Sequence, residues 1–279
     1  MKITPFEKKI NLTNKGQLSL FFIGTGSAFA KSNFQTNLLV VKGESHVLID
    51  CGNLCPYALE HKYNTKSSDI RNMILTHPHA DHIGGVEEMV LVGKYVTKAP
   101  INLIIPKPFK KKLWNESLRG GIQYSENGKM KFEDYFSEIK CERIQKKPFE
   151  IYHSVLGDLD IKIFRTRHVT SIENSYRNSQ QSYGVLLDEK VLFTGDTQFN
   201  EFQLRYLLSK YKDIEYIFHD CDVSGYSAGV HASYDQLCSL SPDIRAKMYL
   251  CHYNEAVNSI DALIDGFAGL AKPGVYYNF

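Results

Sequence analysis

The 279-residue sequence lacks several features that would indicate a class of partner. Its formal net charge is only +2, from 33 basic and 31 acidic side chains, so its overall charge does not indicate nucleic acid or a membrane surface. No apolar run approaches the length needed to cross a bilayer, and residues 1–8 lack the apolar core of a signal peptide. We therefore expect a cytoplasmic protein that has no membrane partner.

Paired cysteines and interdomain linkers are also missing. The six cysteines are scattered without a Cys-x-x-Cys pair, which is typical of reduced thiols in a chain that is not secreted. Cys51 and Cys55 are interpreted as packing residues at the end of a strand, with metal ligation, which their spacing would suit, as the alternative. Because no stretch is rich in Pro, Gly or Ser, we expect residues 1–279 to form a single domain, although the length would allow two.

A cluster of polar residues occupies positions 76–85, with the sequence Thr-His-Pro-His-Ala-Asp-His-Ile-Gly-Gly. The short apolar run before it, 72–76, predicts a buried strand, and Pro78 disfavours a helix across the cluster. Imidazole nitrogens and carboxylate oxygens are ligands of Zn²⁺ and similar divalent ions. One ion can hardly use all four such side chains of so short a loop, so the pattern predicts a two-metal site. A His-rich surface turn is the alternative.

The His-x-His-x-Asp-His pattern after a hydrophobic strand resembles the signature of the metallo-β-lactamase-fold hydrolases. This resemblance implies an α+β fold, a four-layer αββα sandwich with a metal centre at one edge. It also implies that the remaining ligands lie far downstream in the chain. An acidic residue at the position of Asp50 commonly supports the metal loop in this family, by accepting an N–H from a ligand.

Three residues in the second half stand directly after apolar runs, where the missing ligands are expected: His168, Asp196 and His252. For each residue taken alone, a polar residue that merely ends a strand is the alternative. By the resemblance, one ion is held by His77, His79 and His168, the other by Asp81, His82 and His252, and Asp196 bridges the two. The implied cofactors are two divalent ions, Zn²⁺ first and Mn²⁺ or Fe as alternatives, because five histidines and two carboxylates suit all of them.

Two stretches indicate the branch of the family. Residues 215–222 followed by 229–233 resemble a pair of motifs in ribonuclease Z and its relatives, a His-Glu after a strand and then a His-Ser/Thr pair. Here Asp220 replaces the usual Glu. On this interpretation the catalytic residues are His231, as the proton donor to the leaving oxygen, Asp220, which orients it and keeps it charged, and Asp81. A histidine that caps the helix beginning near Ser233 is the alternative for His231.

The interval between His168 and Asp196 bears on the substrate. Ribonucleases Z that process tRNA usually carry a long Gly/Pro-rich arm there, whereas residues 171–182 are merely polar. Long nucleic acid is therefore an unfavourable substrate, given the small net charge. We predict a dinuclear phosphodiesterase that hydrolyses small phosphodiesters by a metal-bridged hydroxide. Cyclic nucleotides are the best candidate substrates, because compact relatives of this branch hydrolyse them.

Other functions stay open at this point. The same metal centre could serve an acyl hydrolase, either a thiolesterase or a lactonase, because hydrolases of the glyoxalase II kind share all seven ligands. An RNA 3′-processing endonuclease and a non-catalytic metal-binding sensor are further alternatives. Substrate-binding residues are unknown; Arg167, Arg177 and Tyr183 are candidates without a preference among them.

The segment 107–148 is predicted to be a lid over the site or a dimer contact. It begins with an amphipathic helix, Lys107 to Leu118, whose lysine run is a solvated face or a patch for a polyanion. A second short helix is predicted from Phe132 to Cys141.

Two further segments have expected roles. The turn Gly24 to Ser27 could offer backbone N–H groups to an anion, with a plain tight turn as the alternative. The tail, Gly274 to Phe279, is apolar enough for a final edge strand or a subunit contact. Because hydrolases of this branch are often homodimers, we expect a homodimer.

Overall fold

A computed structural model describes residues 1–170, 175–225 and 229–279. Within these ranges the strands are β1 (Lys2–Pro5), β2 (Ser19–Gly24), β3 (Asn37–Lys42), β4 (Ser45–Ile49), β5 (Asn72–Ile74), β6 (Ile101–Ile104), β7 (Tyr124–Ser125), β8 (Gly128–Lys129), β9 (Phe136–Ile139), β10 (Glu142–Gln145), β11 (Ile151–Leu156), β12 (Leu159–Thr170), β13 (Ser179–Leu187), β14 (Val191–Phe193), β15 (Tyr216–Asp220), β16 (Met248–Cys251), β17 (Gly269–Leu270) and β18 (Val275–Asn278). The α-helices are α1 (Cys55–His61), α2 (Ala80–Ile83), α3 (Val86–Val92), α4 (Lys107–Lys112), α5 (Arg119–Ile122), α6 (Glu201–Lys210), α7 (Tyr234–Cys238) and α8 (Pro242–Arg245). Wider π-type turns cover Gly93–Thr97 and Leu113–Leu118, and 3₁₀ turns cover Ser67–Asp69, Phe132–Asp134 and Glu255–Ser259.

The strands form two sheets of eight strands each, with β7 and β8 as a separate hairpin. The strand order is β1-β18-β2-β3-β4-β5-β6-β9 in the first sheet and β10 through β17, in sequence, in the second. Each sheet changes from antiparallel to parallel pairing, at β4–β5 in the first and at β14–β15 in the second. The carboxyl ends of neighbouring parallel strands lie at the same sheet edge, and such an edge is where open α/β sheets place their sites.

The two sheets pack face to face through aromatic side chains. The ring of Phe22, on β2, lies 5.1 Å from Phe218 of β15 and 6.4 Å from Phe193 of β14, measured between centroids. Helix α6 buries Leu204 and Leu207 in a cluster with residues of β14 to β16, and α1 buries Ala58 and Leu59 in the cluster of the first sheet. This arrangement is the four-layer αββα sandwich that was expected. None of the described helices combines the length and the apolar character that crossing a bilayer requires.

Two local predictions are wrong. The segment Phe132 to Cys141 forms only a 3₁₀ turn and then β9, which pairs in parallel with β6. Phe136 is buried whereas the next two residues are exposed, and this burial pattern is compatible with a strand at the edge of a sheet. The tail is not an edge strand, because β18 pairs with both β1 and β2 and leaves β1 at the edge. The segment 107–148 thus contributes one strand to each sheet, β9 and β10.

A glycine in β13 permits close packing against the neighbouring strand. A Cβ at Gly184 would lie 2.2 Å from Cζ of Phe164 and 2.8 Å from the carbonyl oxygen of Thr194. We therefore expect Gly184→Ala to lower the free energy of unfolding by about 1–3 kcal/mol through overpacking, measured by urea denaturation in excess chelator.

Gly120→Ala is the matched control. A Cβ at Gly120 meets no atom within 4 Å, and alanine favours the helical conformation that this residue has in α5. This variant should be as stable as the parent or slightly more so. Equal destabilisation by both substitutions would contradict the packing described for β13.

Candidate metal centre

The candidate ligands lie at or just beyond the carboxyl ends of strands from both sheets. In the first sheet Asp50 follows β4 and the His-rich loop follows β5, while Asp196 and His252 follow β14 and β16 of the second sheet. Asp50 and His252 have positive φ angles of 64° and 59°. Such a conformation is uncommon outside glycine and is found at functional sites, where surrounding contacts enforce it.

The first group of donor atoms comes from His77, His79, His168 and Asp196, which are near enough to hold one ion. His77 Nε2 lies 3.0 Å from His79 Nδ1 and 3.6 Å from Asp196 Oδ2. His168 Nε2 lies 3.3 Å from His79 Nδ1. His77 and His79 follow β5, His168 lies near the end of β12 and Asp196 follows β14, so the group joins the two sheets.

The second group consists of Asp81, His82, Asp196 and His252, all of them buried. Asp81 Oδ2 lies 3.2 Å from His82 Nε2 and 3.3 Å from His252 Nε2. Asp196 approaches the same two nitrogens, at 3.3 Å from His82 and 3.4 Å from His252. The structure therefore brings together all seven residues that the sequence singled out, in the two expected groups that share Asp196.

A buried carboxylate holds the His-rich loop in place. Asp50 Oδ2 accepts hydrogen bonds from His82 Nδ1 and from the hydroxyl of Thr76, both at 2.7 Å, and Asp50 Oδ1 accepts one from the Thr76 backbone N–H. Since its hydroxyl proton points to Asp50, Thr76 Oγ1 accepts from His77 Nδ1 at 3.0 Å. Both ring Nδ1 atoms are thereby engaged as donors, and the Nε2 lone pairs face the centre.

The other two histidines that point Nε2 at the centre are oriented in the same way. His168 Nδ1 bonds to the carbonyl oxygen of Val230 at 2.8 Å. His252 Nδ1 lies 3.3 Å from Oδ1 of Asp220. Each ring therefore has an acceptor on the side away from the centre, as metal-binding histidines usually do.

The donor set fits divalent cations. His82 Nε2 is buried and has no hydrogen-bond partner among the described residues, although it faces three other potential ligands. Burial lowers the pKa of His168 to about 4, which keeps its lone pair available at neutral pH. Burial also acts to lower the pKa of His252, but Asp196, Asp220 and Asp81 outweigh it and raise that pKa to about 10. The carboxylates thus favour positive charge at the centre, which bound ions would supply.

His231 and Asp220 form a close pair beside the second group. His231 Nδ1 lies 2.7 Å from Asp220 Oδ2, and 3.9 Å from Asp196 Oδ2. Asp220 is almost fully buried; burial raises its pKa, yet His231 and other partners bring it down to about 2. The helix-capping alternative for His231 fails, because it is the hydroxyl of Ser233 that accepts from the Gln236 backbone N–H at the start of α7.

A cavity of about 270 Å³ borders His231 and His252. Phe29, on the loop between β2 and β3, lines the cavity with its side chain 87% exposed. The carboxylate of Glu255 accepts hydrogen bonds from the backbone N–H groups of Lys31 and Ser32, at 2.6 and 3.2 Å, and holds that loop. Sequence reasoning missed Phe29; the only available signal was an aromatic residue in a loop of small and polar residues.

Several other candidates do not have the expected role. The backbone N–H groups of Thr25, Gly26 and Ser27 all donate to carbonyl oxygens and are not free to bind an anion, although Ser27 lines the cavity beside His231. Tyr183 is buried at 1% exposure and cannot contact a substrate. Cys51 is buried in the hydrophobic cluster of the first sheet, as packing alone would require.

Two predictions remain, the substrate contact by Arg177 and the missing arm between His168 and Asp196. Arg177 is exposed. Part of the interval in which a tRNA-gripping arm would lie, residues 171–174, falls outside the described residues.

Removing the negative charge of Asp50 should weaken metal binding without removing a ligand. In Asp50→Asn the amide cannot accept from both His82 and Thr76 in the same way, so we expect metal affinity to fall roughly 10–100-fold. The measurement is competition for Zn²⁺ against a chromophoric chelator. Asp213→Asn, at an exposed position, is the control with the same charge change. Unchanged affinity in Asp50→Asn would contradict the supporting role of Asp50.

Comparisons with known proteins agree with this geometry. A family model described as "Anti-Pycsar protein Apyc1" matches residues 18–277. An Anti-Pycsar protein Apyc1 of Paenibacillus xerothermodurans is 33% identical over 238 residues, which cover 85% of this chain and 88% of the relative. One from Bacillus phage vB_BsuM-Goe3 is 34% identical over 250 residues, covering 85% and 90%.

A solved structure shows the same fold at low sequence identity. The metallo-β-lactamase fold protein YhfI from Bacillus subtilis matches with a TM-score of 0.69 at 13% identity, over 94% of this chain and 100% of that chain. The expected fold is thereby confirmed, and the chain is a metal-dependent hydrolase. With a family match over most of its length, the chain belongs to the Anti-Pycsar protein Apyc1 family.

Proposed function

We propose that the chain is a phosphodiesterase for small cyclic nucleotides, in which His231 protonates the leaving oxygen. The observation that carries the proposal is the His231–Asp220 pair next to both groups of metal-type residues. Membership of the Anti-Pycsar family supports it, since compact ribonuclease Z-like relatives hydrolyse cyclic nucleotides. The pair also favours a phosphodiester over a thiolester, because an alkoxide leaving group needs a proton and a thiolate does not.

We propose zinc as the metal, because five histidines dominate the donor set. The residues that would hold two ions are His77, His79 and His168 for one, Asp81, His82 and His252 for the other, and Asp196 for both. When bound, the ions would polarise the phosphoryl group and make a water molecule acidic.

His231 is oriented for proton donation by its partner. Its Nδ1 is engaged with Asp220, which leaves Nε2 to donate to a substrate in the adjoining cavity. Burial acts to lower the pKa of His231, but Asp220 outweighs burial and raises that pKa above its ordinary value. The imidazolium is therefore more populated near neutral pH than in an ordinary histidine, and the leaving oxygen can take its proton from it. We assign Asp81 a catalytic role besides that of a ligand, because its carboxylate lies between His82 and His252.

We further propose a single domain over residues 1–279, acting as a cytoplasmic homodimer. The single domain is supported by a hydrophobic cluster that contains residues of both sheets. A cytoplasmic location is supported by the six cysteines, which are unpaired. The homodimer is suggested by the ribonuclease Z-like branch, and the segment 107–148 is the proposed contact or lid.

The substrate class is tested with purified, metal-loaded protein. Candidates are 3′,5′-cyclic mononucleotides, bis-p-nitrophenyl phosphate and a thiolester, with product analysis by chromatography. We expect cyclic nucleotides to be converted to linear monophosphates. Turnover of the thiolester alone would overturn the proposal in favour of an acyl hydrolase.

The acid role of His231 predicts a dependence on the leaving group. We expect His231→Ala to lower kcat for a cyclic nucleotide by about 10²–10⁴-fold. Turnover of bis-p-nitrophenyl phosphate should fall much less, because p-nitrophenolate leaves without a proton. Metal content, measured by mass spectrometry, should not change.

His61→Ala serves as the control, because His61 is an exposed histidine of α1. It should leave both activities unaltered. If His231→Ala lowered both activities equally, His231 would be a structural residue and not the proton donor.

A further inference from the structure

A groove formed by the segment from 107 to 133 has an aromatic floor. Its volume is about 450 Å³, and it lies between α4, the π-type turn after it and residues 129–133. The floor is made by Trp114, Met130 and Phe132. The ring of Trp114 lies 6.1 Å from that of Phe132 in an edge-on arrangement of 89°, which holds the half-buried indole in place.

The rim of the groove carries an excess of positive charge. Five exposed cations line it: Lys107, Lys111, Arg119, Lys129 and Lys131. No ion pair joins any of these five side chains to a carboxylate in the part of the chain that the structure describes. The one carboxylate in the lining, Glu133, lies 3.1 Å from Lys110, which also pairs with Glu138 at 2.6 Å; the lining therefore keeps an excess of positive charge.

We propose that this groove binds a nucleotide, with its phosphate on the rim cations and its base against Trp114. Lysine and arginine side chains bind phosphate, and an indole offers a face on which any base can stack. The volume falls within the range of small-molecule sites. None of its lining residues belongs to the metal centre, so the inference does not depend on the proposed phosphodiesterase activity; it does require that the contact or lid proposed for 107–148 leaves the groove open.

A small nucleotide fits the groove better than a nucleic acid polymer. The cations surround one cavity with an aromatic floor, whereas a polymer requires a basic track along the surface. The chain as a whole, with a net charge of +2, provides no excess charge for such a track.

The chain contains a single tryptophan, Trp114, so fluorescence excited selectively at tryptophan, away from the absorption of the 17 tyrosines, reports on this groove directly. The metal-loaded protein is titrated with AMP and UMP, and in parallel with adenosine, inorganic phosphate and a single-stranded oligonucleotide. We expect a saturable fluorescence change with a nucleotide monophosphate and a Kd of about 1 mM or tighter. Adenosine or phosphate alone should not reproduce it at the same concentration.

Charge variants decide whether the change arises in the groove. The double variant Lys111→Gln/Lys129→Gln should weaken nucleotide binding at least about tenfold. The matched control, Lys8→Gln/Lys212→Gln, removes the same charge at exposed positions outside the groove lining and should bind like the parent.

Four results would overturn the proposal. They are the absence of a saturable signal with AMP and UMP, an equal response to inorganic phosphate, a response to the oligonucleotide alone, and equal weakening by both double variants.

Discussion

The buried carboxylate of Asp196 joins the two halves of the molecule. It is only 2% exposed, and its two oxygens face histidines delivered by both sheets. The hydroxyls of Thr166 and Ser182 fix its position by donating to its main-chain carbonyl. A buried negative charge is strongly unfavourable unless positive charge compensates it. The centre must therefore hold positive charge, from protonated histidines or metal ions, for Asp196 to stay buried between the two sheets in its charged form.

The replacement of a glutamate by Asp220 has a structural explanation. Asp220 is the last residue of β15 and lies opposite Cys251 in the parallel pairing with β16. Its shorter side chain consequently starts next to His252, and its two oxygens reach His252 and His231 separately. One carboxylate thus orients a candidate ligand and the candidate proton donor together. Aspartate is therefore long enough here, and the longer side chain of a glutamate is not needed to reach the two histidines.

Much of the site could be predicted because its residues follow apolar runs that form parallel strands. His77, Asp196 and His252 all stand at such positions, and parallel strands bring their carboxyl ends to a common edge. The supporting role of Asp50 was implied by the resemblance to the metallo-β-lactamase-fold hydrolases, and its contacts with Thr76 and His82 agree with that role. Ring orientation was not predictable, since the Val230 carbonyl that holds His168 is 62 residues away in sequence.

The errors also have physical causes. Whether β18 lies at an edge depends on β1, from the opposite end of the chain, and local pattern carries no information about that pairing. The segment 132–141 forms β9 because β6 offers it a free edge, which overrides a weak helical pattern. The groove cations come from α4, α5, the hairpin strand β8 and the residue before the 3₁₀ turn Phe132–Asp134, and only tertiary structure brings them to one cavity.

The position of β18 between β1 and β2 also constrains the order of events during synthesis. Until residues 275–278 have left the ribosome, β2 has no partner on the side away from β3. An unpaired strand edge of this kind attracts other chains. His252 likewise emerges late, so a nascent chain that has already made the His-rich loop still lacks one complete ligand group. The first sheet and the second ligand group can therefore be completed only after residues 252–278 have been synthesised.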